Sequence, residues 1–462
     1  MSLAHLQRTG RVLLHVISRS DARALCSAPA AAAWFNISEG DLQRLQIDYK
    51  SVLTVLEHSK DEEVEISTKP DLNLLANLLA ELNLHSNFPE NPSIYTMLRS
   101  PVVSLINICN LKCSYCYVGA PSVDKESRKQ VTRSEVIEFA KVLLHQGGNT
   151  TKSIQLFGGE PTLHNEFVDI VRELRSLGLI VRVSTNLTAG KVRSTDFVKI
   201  LTDVGVEWRV SIDSLNQNKH DEFRGQGNLN RVFANLNYAK ALGANISLRA
   251  TLTRDRATEI RDIAYYCLEN NFQLTYGSII ATGEAEHGFD VLAGDMHLLD
   301  RILFDEIDKQ PLLAKIILPS PLGWALKSLY LLRPPHLPRF TFYMGEDGSI
   351  YPMDSLVAEE FKLGERTNIN WSKAERQQRR FGIQGSRCAP CPIQAHCYTG
   401  HFGDLIGGED PEQSEFRTCP DKRATYKMLM QSENKAMSMV KTMFSETGGA
   451  FEGRYFAFPS PT

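Results

Sequence analysis

The alternation of apolar and polar positions changes character near residue 100. Before that point two runs, Arg11-Val-Leu-Leu-His-Val-Ile17 and Ala33-Trp-Phe-Asn-Ile37, are rich in β-branched and aromatic residues and predict strands. Ser38, ahead of Asp41 and Leu42, is placed to N-cap a helix. The sharpest helical period runs from Asp71 to His85, where Leu72, Leu75, Leu78, Leu79 and Leu82 recur at helical spacing just after Pro70. A stripe of this kind is core packing. Residues 1–98 are therefore expected to form a small α/β domain.

From Val102 short apolar runs alternate with helical periods, which is the pattern of βα units around a parallel sheet. Strands are predicted at 102–108, 152–157, 179–184, 206–212, 244–252 and 272–280, with helices near 132–146, 164–177, 194–204, 228–242 and 258–270. Thr132 with Glu135 makes a capping box for the first helix. This α/β alternation over 99–285 predicts an incomplete barrel, with chemistry in the loops that follow its strands. Residues 286–338 should be connecting helices, with a helical signal at 296–309 and a stiff connector at Arg333-Pro-Pro-His-Leu-Pro338. Over 339–443, Phe340 to Tyr351 predicts a hairpin turning at Asp347-Gly348, and Asp421 to Thr442 a closing helix. Residues 444–462 are expected to be a mobile tail.

Charge and composition narrow the function classes. The 462 residues carry a net charge of -3 and 42% hydrophobic content, without the basic stripe of a nucleic-acid-binding surface. No apolar run approaches the roughly 18 residues that span a bilayer. Arg8, Arg11, Arg19 and Arg23 precede or flank the first acid, Asp21, so a cleaved transit peptide is one reading of the N-terminus. Nine cysteines, seven of them in two groups, suit metal ligation in a reducing compartment, which points to the cytoplasm.

The first group is Cys109-Asn-Leu-Lys-Cys113-Ser-Tyr-Cys116, directly after the first barrel strand. Three thiolates in one short loop can each take a different iron of a cubane cluster, leaving one iron open. The competing reading is zinc, which wants four ligands, and no fourth candidate lies nearby. With Tyr115 before its last cysteine, the motif resembles that of the radical S-adenosylmethionine (SAM) enzymes. The resemblance implies a partial, TIM-like (β/α)6 barrel and a [4Fe–4S] cluster whose open iron chelates SAM, which an electron then cleaves to a 5′-deoxyadenosyl radical. It also implies that Gly158-Gly159-Glu160-Pro161, on its own a plain turn, holds the cofactor's amino group. Ser211 and Arg224 would hold its carboxylate, Arg by its two-pronged fork. Tyr115 would line the same site, and Asn186 would meet the ribose or, equally, stabilise its own turn.

The second group, Cys388-x2-Cys391-x5-Cys397 with Cys419 further on, resembles the C-terminal SPASM extension of peptide and protein maturases. Family members with two auxiliary clusters have a cysteine where Met353 stands, one more before it, and another at His401. The four cysteines present match the outer cluster, so one fully ligated auxiliary [4Fe–4S] cluster is expected, with zinc as the alternative. Asp354 matches an aspartate that serves sulfatase-maturating relatives as general base, or it is an ordinary hairpin-end carboxylate. Cys26 and Cys267 are assigned no role.

The resemblance as a whole implies an oxidoreductase that abstracts hydrogen from a precursor peptide, fed by flavodoxin or ferredoxin. Its layout looks like that of His-Xaa-Ser-type and cyclophane-forming peptide systems, with residues 1–98 capturing a leader by strand addition. Two other readings stay open: dehydrogenation of a sugar or aminocyclitol, and a zinc-stabilised binding protein.

Overall fold

The computed structural model describes residues 11–20, 23–28, 33–38, 51–52, 62–67, 100–120, 128–147, 151–279, 283–285, 295–330, 342–354, 356–381, 393 and 419–444. In the N-terminal segment five strands, β1 (Arg11–Ser20), β2 (Arg23–Ala28), β3 (Ala33–Ser38), β4 (Ser51–Val52) and β5 (Glu62–Ser67), form an antiparallel sheet in the order β3-β2-β1-β5-β4. Two of these were predicted, and the helices expected at Ser38 and at 71–85 lie outside the described residues.

The second sheet carries the chemistry. Its parallel strands β6 (Val102–Ser104), β7 (Ser153–Phe157), β8 (Ile180–Thr185), β9 (Glu207–Ser211), β10 (Asn245–Thr251) and β11 (Gln273–Gly277) lie side by side in chain order. Between them run α1 (Arg133–Gly147), α2 (Phe167–Ser176), α3 (Thr195–Asp203), α4 (Gln217–Arg224), α5 (Asn228–Ala241) and α6 (Glu259–Asn270). Among the described residues the sheet does not close, and the fold is an α/β half-barrel. The capping box forms as expected: Thr132 N donates to Glu135 Oε2 at 2.8 Å and Glu135 N to Thr132 Oγ1 at 3.3 Å. Strand β6 is shorter than its apolar run because the chain leaves the ladder after Ser104, and Ile106 bridges Gln130 instead.

Alternation along the strands gives the half-barrel two unlike faces. Ile154, Leu156, Val181, Val183, Trp208, Val210, Leu248, Ala250 and Leu274 point under the helices and are fully buried or nearly so. Burial of each such side chain is worth about 1.5–3 kcal/mol, which is what holds the helices on the sheet. The intervening residues face the concave side and are mostly polar.

The sheet does not end at β6. Strand β12 (Tyr343–Met344) pairs parallel to it, with Tyr343 opposite Val102, and β13 (Ser349–Tyr351), β14 (Gly364–Glu365) and β15 (Asn368–Ile369) follow antiparallel. The predicted hairpin is therefore the outer continuation of the barrel sheet, turning where Asp347 Oδ1 accepts from Ser349 N at 2.9 Å. Helix α7 (Met296–Lys309) matches its prediction, opened by Asp295 accepting from Leu298 N at 2.9 Å. It is followed by α8 (Leu313–Ile316), α9 (Pro321–Tyr330) and α10 (Trp371–Phe381). The closing helix is two, α11 (Cys419–Gln431) and α12 (Glu433–Phe444). They divide at Ser432, whose N–H is shared between the Met428 and Leu429 carbonyls, a tightened last turn.

Helices α7 and α11 meet at the buried Asp300, which accepts from Tyr276 Oη at 2.6 Å and Thr425 Oγ1 at 2.7 Å. Burial pushes its carboxyl up to about 7, although both hydrogen bonds pull the other way. Between pH about 4 and about 7 the folded state thus holds a proton that the unfolded chain has released, so stability falls as pH rises through that window. Asp300→Asn is expected to flatten the decline, becoming the more stable form above pH 7 by up to about 4 kcal/mol. Urea unfolding at pH 5 and pH 8 reads this difference.

Candidate active site

The cysteine loop leaves the end of β6 and is held by the loops after the neighbouring strands. Gly159 N donates to the Ile106 carbonyl at 2.8 Å and Glu160 N to that of Ile108 at 2.9 Å. The Gly-Gly pair is required by this approach: a Cβ on either residue would overlap the Ile106 or Ile108 carbonyl, and Gly158 has φ +142°. On the far side, Glu284 N donates to the Cys116 carbonyl at 2.9 Å, with Gly283 packed against the Cys116 and Tyr117 carbonyls where a side chain would not fit.

Cys109, Cys113 and Cys116 are all half-buried in this loop. Burial pushes the Cys109 thiol up to about 12, helped by Glu160, and raises that of Cys113 against the pull of Arg224. Cys109 Sγ accepts from Leu111 N at 3.4 Å and Asn186 Nδ2 at 3.6 Å. Such N–H donors to sulfur are among the means by which a protein tunes an iron–sulfur cluster, and they fit a thiolate ligand better than an idle thiol. Among the described residues no three of His, Cys, Asp and Glu are arranged to share a single metal ion.

Glu160 is buried and ties three loops together. Oε1 accepts from Thr162 N at 3.2 Å, Thr162 Oγ1 at 2.6 Å and Thr185 Oγ1 at 2.7 Å, and Oε2 from Asn186 N at 2.8 Å. Burial outweighs these bonds and raises its carboxyl above the usual range. Asn186 Oδ1 accepts from Thr188 N at 2.8 Å within its own turn, while its Nδ2 reaches the cysteine loop, donating to Asn110 Oδ1 at 3.0 Å.

Tyr115 and Arg224 converge on Asp213. Arg224 Nε and an Nη donate to the two Asp213 oxygens at 2.5 and 3.2 Å, Tyr115 Oη donates to Oδ2, and Thr251 N to Oδ1 at 2.9 Å. Burial raises the Asp213 carboxyl, but the Arg224 charge and these donors outweigh it and hold the group low. The fork expected to meet a cofactor carboxylate is thus closed on Asp213 in this structure. Ser211 ends β9 on the concave face, where its hydroxyl makes no hydrogen bond to any described residue.

Asp354, just past the hairpin, accepts from Tyr117 Oη at 3.5 Å, and the Tyr117 ring stacks on Phe157 with centroids 6.0 Å apart. The structure therefore brings the carboxylate to the residue that follows the last loop cysteine. Cys419, at the start of α11, packs with Met353 and Leu356. Cys388, Cys391 and Cys397 lie outside the described residues. Cys267 is fully buried in the core, and desolvation raises its thiol.

Sequence reasoning missed the concave face itself. Arg182-Val-Ser184, Arg209-Val-Ser211 and Arg249-Ala-Thr251 recur on three successive strands, each Arg followed two residues later by a hydroxyl. Arg182 pairs with Glu207 at 2.8 Å, and Arg209 donates to Gln155 Oε1 at 3.2 Å. The repeat was visible as polar positions within alternating strands.

Residues 103–263 match the family model of the radical SAM superfamily. GTP 3′,8-cyclase of Pasteurella multocida is 25% identical over 256 residues, covering 54% of this chain and 70% of its own length. Molybdenum cofactor biosynthesis protein 1 of Drosophila melanogaster is 27% identical over 176 residues, 37% of this chain and only 30% of its own. Among solved structures, native anSMEcpe with bound AdoMet and a peptide gives a TM-score of 0.59 at 18% identity, over 73% of this chain and 99% of its own. Streptococcus suis SuiB bound to its precursor peptide SuiA gives 0.54 at 15% identity, over 88% and 98%. Identities this low show a common fold, and the fold is the expected radical SAM half-barrel.

Proposed function

We propose that the chain, whose residues 103–263 match the radical SAM family model, is a radical SAM enzyme that abstracts a hydrogen atom from a side chain of a precursor peptide, giving a crosslinked or otherwise oxidised product. The observation that carries this reading is the continuous sheet that brings Asp354 against Tyr117 beside the cysteine loop, joining the C-terminal extension to the radical site.

Cys109, Cys113 and Cys116 would hold a [4Fe–4S] cluster, which when bound with SAM supplies a 5′-deoxyadenosyl radical. The Glu160 carboxyl, fixed by four donors, would accept from the cofactor's ammonium, and Ser211 would donate to its carboxylate. Arg224 retains a second Nη beyond its pair with Asp213. Tyr115 packs edge-on against Phe223, with centroids 5.4 Å apart, and closes the loop against α4. Asp354 would take the proton released when the substrate radical is oxidised. Cys388, Cys391, Cys397 and Cys419 would hold one auxiliary cluster, so anaerobic reconstitution should load about eight irons per chain. Zinc in place of four of them contradicts that assignment.

Strand β3, an edge of its sheet among the described residues, would be the place for a leader peptide to add as a further strand. A flavodoxin or ferredoxin would supply electrons, and no described helix is long and apolar enough to cross a membrane. A second reading follows from the relatives named GTP 3′,8-cyclase: a small-molecule substrate such as a nucleotide. Anaerobic incubation with SAM, reductant and either GTP or any short peptide found encoded in a neighbouring reading frame separates the two. Loss of about 2 Da per oxidation event from the peptide is expected. An unaltered peptide alongside consumed GTP would overturn the peptide reading.

A further inference from the structure

The concave face is divided into two walls. Val102, Phe157, Tyr343 and the partly buried Tyr117 form an apolar wall where β6 meets β12. Opposite it, on β9 and β10, stand Arg209 and Arg249. Register places Arg209 level with Ser184 and Ser247, and Arg249 two residues higher, level with Ser211 and Thr275. The arginines climb toward the strand ends that carry the cysteine loop.

Among the described residues their charge is only partly balanced, by Glu207, which favours the charged form of Arg209. Glu207 is the one acid among the described strand residues of this face, and Arg182 holds it at 2.8 Å. Among the described residues Arg209 has a hydrogen bond to the neutral Gln155, and Arg249 has neither a hydrogen bond nor an ion pair. Two guanidinium groups on adjacent strands repel, and charges withdrawn from water normally have partners. The strain is felt: burial, with Arg249 and Arg182 alongside, pushes Arg209 down to about 9. An anion between them would offset the repulsion and the burial of Arg209. Arg presents a planar fork that matches a carboxylate with two parallel hydrogen bonds.

We propose that Arg209 and Arg249 form a carboxylate-binding site for the substrate, so that the peptide enters with an acidic residue against the arginines and an apolar or aromatic residue against the Phe157–Tyr117 wall. This rests on the peptide reading above and adds to it the chemical class of residue that sets specificity. The same carboxylate chemistry could be served by the methionine end of SAM, and a phosphate would suit the same charges.

The test uses the full chain, anaerobically reconstituted and saturated with SAM, titrated calorimetrically with acetyl-Phe-Glu-Phe-amide, its glutamine counterpart, and inorganic pyrophosphate. The glutamyl peptide should bind about tenfold tighter than the glutaminyl one, as expected when a charge-assisted bond replaces a neutral one. Arg209→Gln and Arg249→Gln should each remove most of that preference, Arg209→Lys should keep part of it, and SAM affinity should be unchanged in all three. Equal binding of the two peptides, a preference that survives both glutamine variants, tighter binding of pyrophosphate, or a loss confined to SAM affinity would each overturn the proposal. Failure of the peptide reading looks different: the glutamyl preference would stand while no glutamyl peptide was modified and GTP was consumed. Failure of the site alone would leave peptide modification intact.

Discussion

Asp213→Ala should destabilise the fold by about 3–5 kcal/mol, because it leaves the Arg224 guanidinium buried without its counter-charge. Arg224 is 8% and Asp213 2% exposed, so water cannot take over the lost carboxylate. The same oxygens receive Tyr115 Oη and Thr251 N, which ties the cysteine loop, α4 and the end of β10 to one carboxylate. Urea unfolding should therefore show a lower midpoint. The double variant Asp213→Ala with Arg224→Leu should recover part of the loss, since no orphaned charge remains. A double variant whose loss is the sum of the two single losses would refute the coupling. SAM binding should fall in both variants, because the loop no longer has its anchor at Tyr115.

Gly159→Ala should cost about 1–3 kcal/mol as an overpacked contact. Its larger effect should be on the cluster. The added methyl would overlap the Ile108 carbonyl and stand 2.7 Å from that of Asn107, and both are rigid backbone immediately before Cys109. The loop must move, and the thiols move with it. Iron retained after reconstitution should fall by about half, the share of one of two clusters, while far-ultraviolet circular dichroism stays close to that of the parent. Full iron content in this variant would show that the Gly-Gly pair is not what seats the cysteine loop.

The parts of the site that were legible in the sequence are those where chemistry dictates spacing. The three cysteines must share one loop, and the βα alternation placed that loop at the end of the first barrel strand. The Gly158-Gly159-Glu160 segment was also legible as a ligand-holding loop, but not its packing: the glycines also admit the neighbouring backbone, and Glu160 also links Thr162, Thr185 and Asn186. Helix α4 was not legible. Gln217 to Arg224 has no apolar stripe, and its signals are the caps, Asn216 accepting from Lys219 N and Gly225 closing the end. The pairing of β12 with β6 joins residues far apart in the chain, which no local pattern encodes. The arginines of β8, β9 and β10 escaped notice because strands are recognised by their apolar positions, and these sit on the alternate ones.

The proposed function requires the cysteine loop to make a site where SAM is reductively cleaved. The direct measurement is chromatographic detection of 5′-deoxyadenosine from anaerobically reconstituted protein given dithionite and SAM. Release by the parent protein and none from Cys113→Ala is expected. An iron-replete parent protein that releases no 5′-deoxyadenosine, or a Cys113→Ala variant that releases as much as the parent, would contradict it.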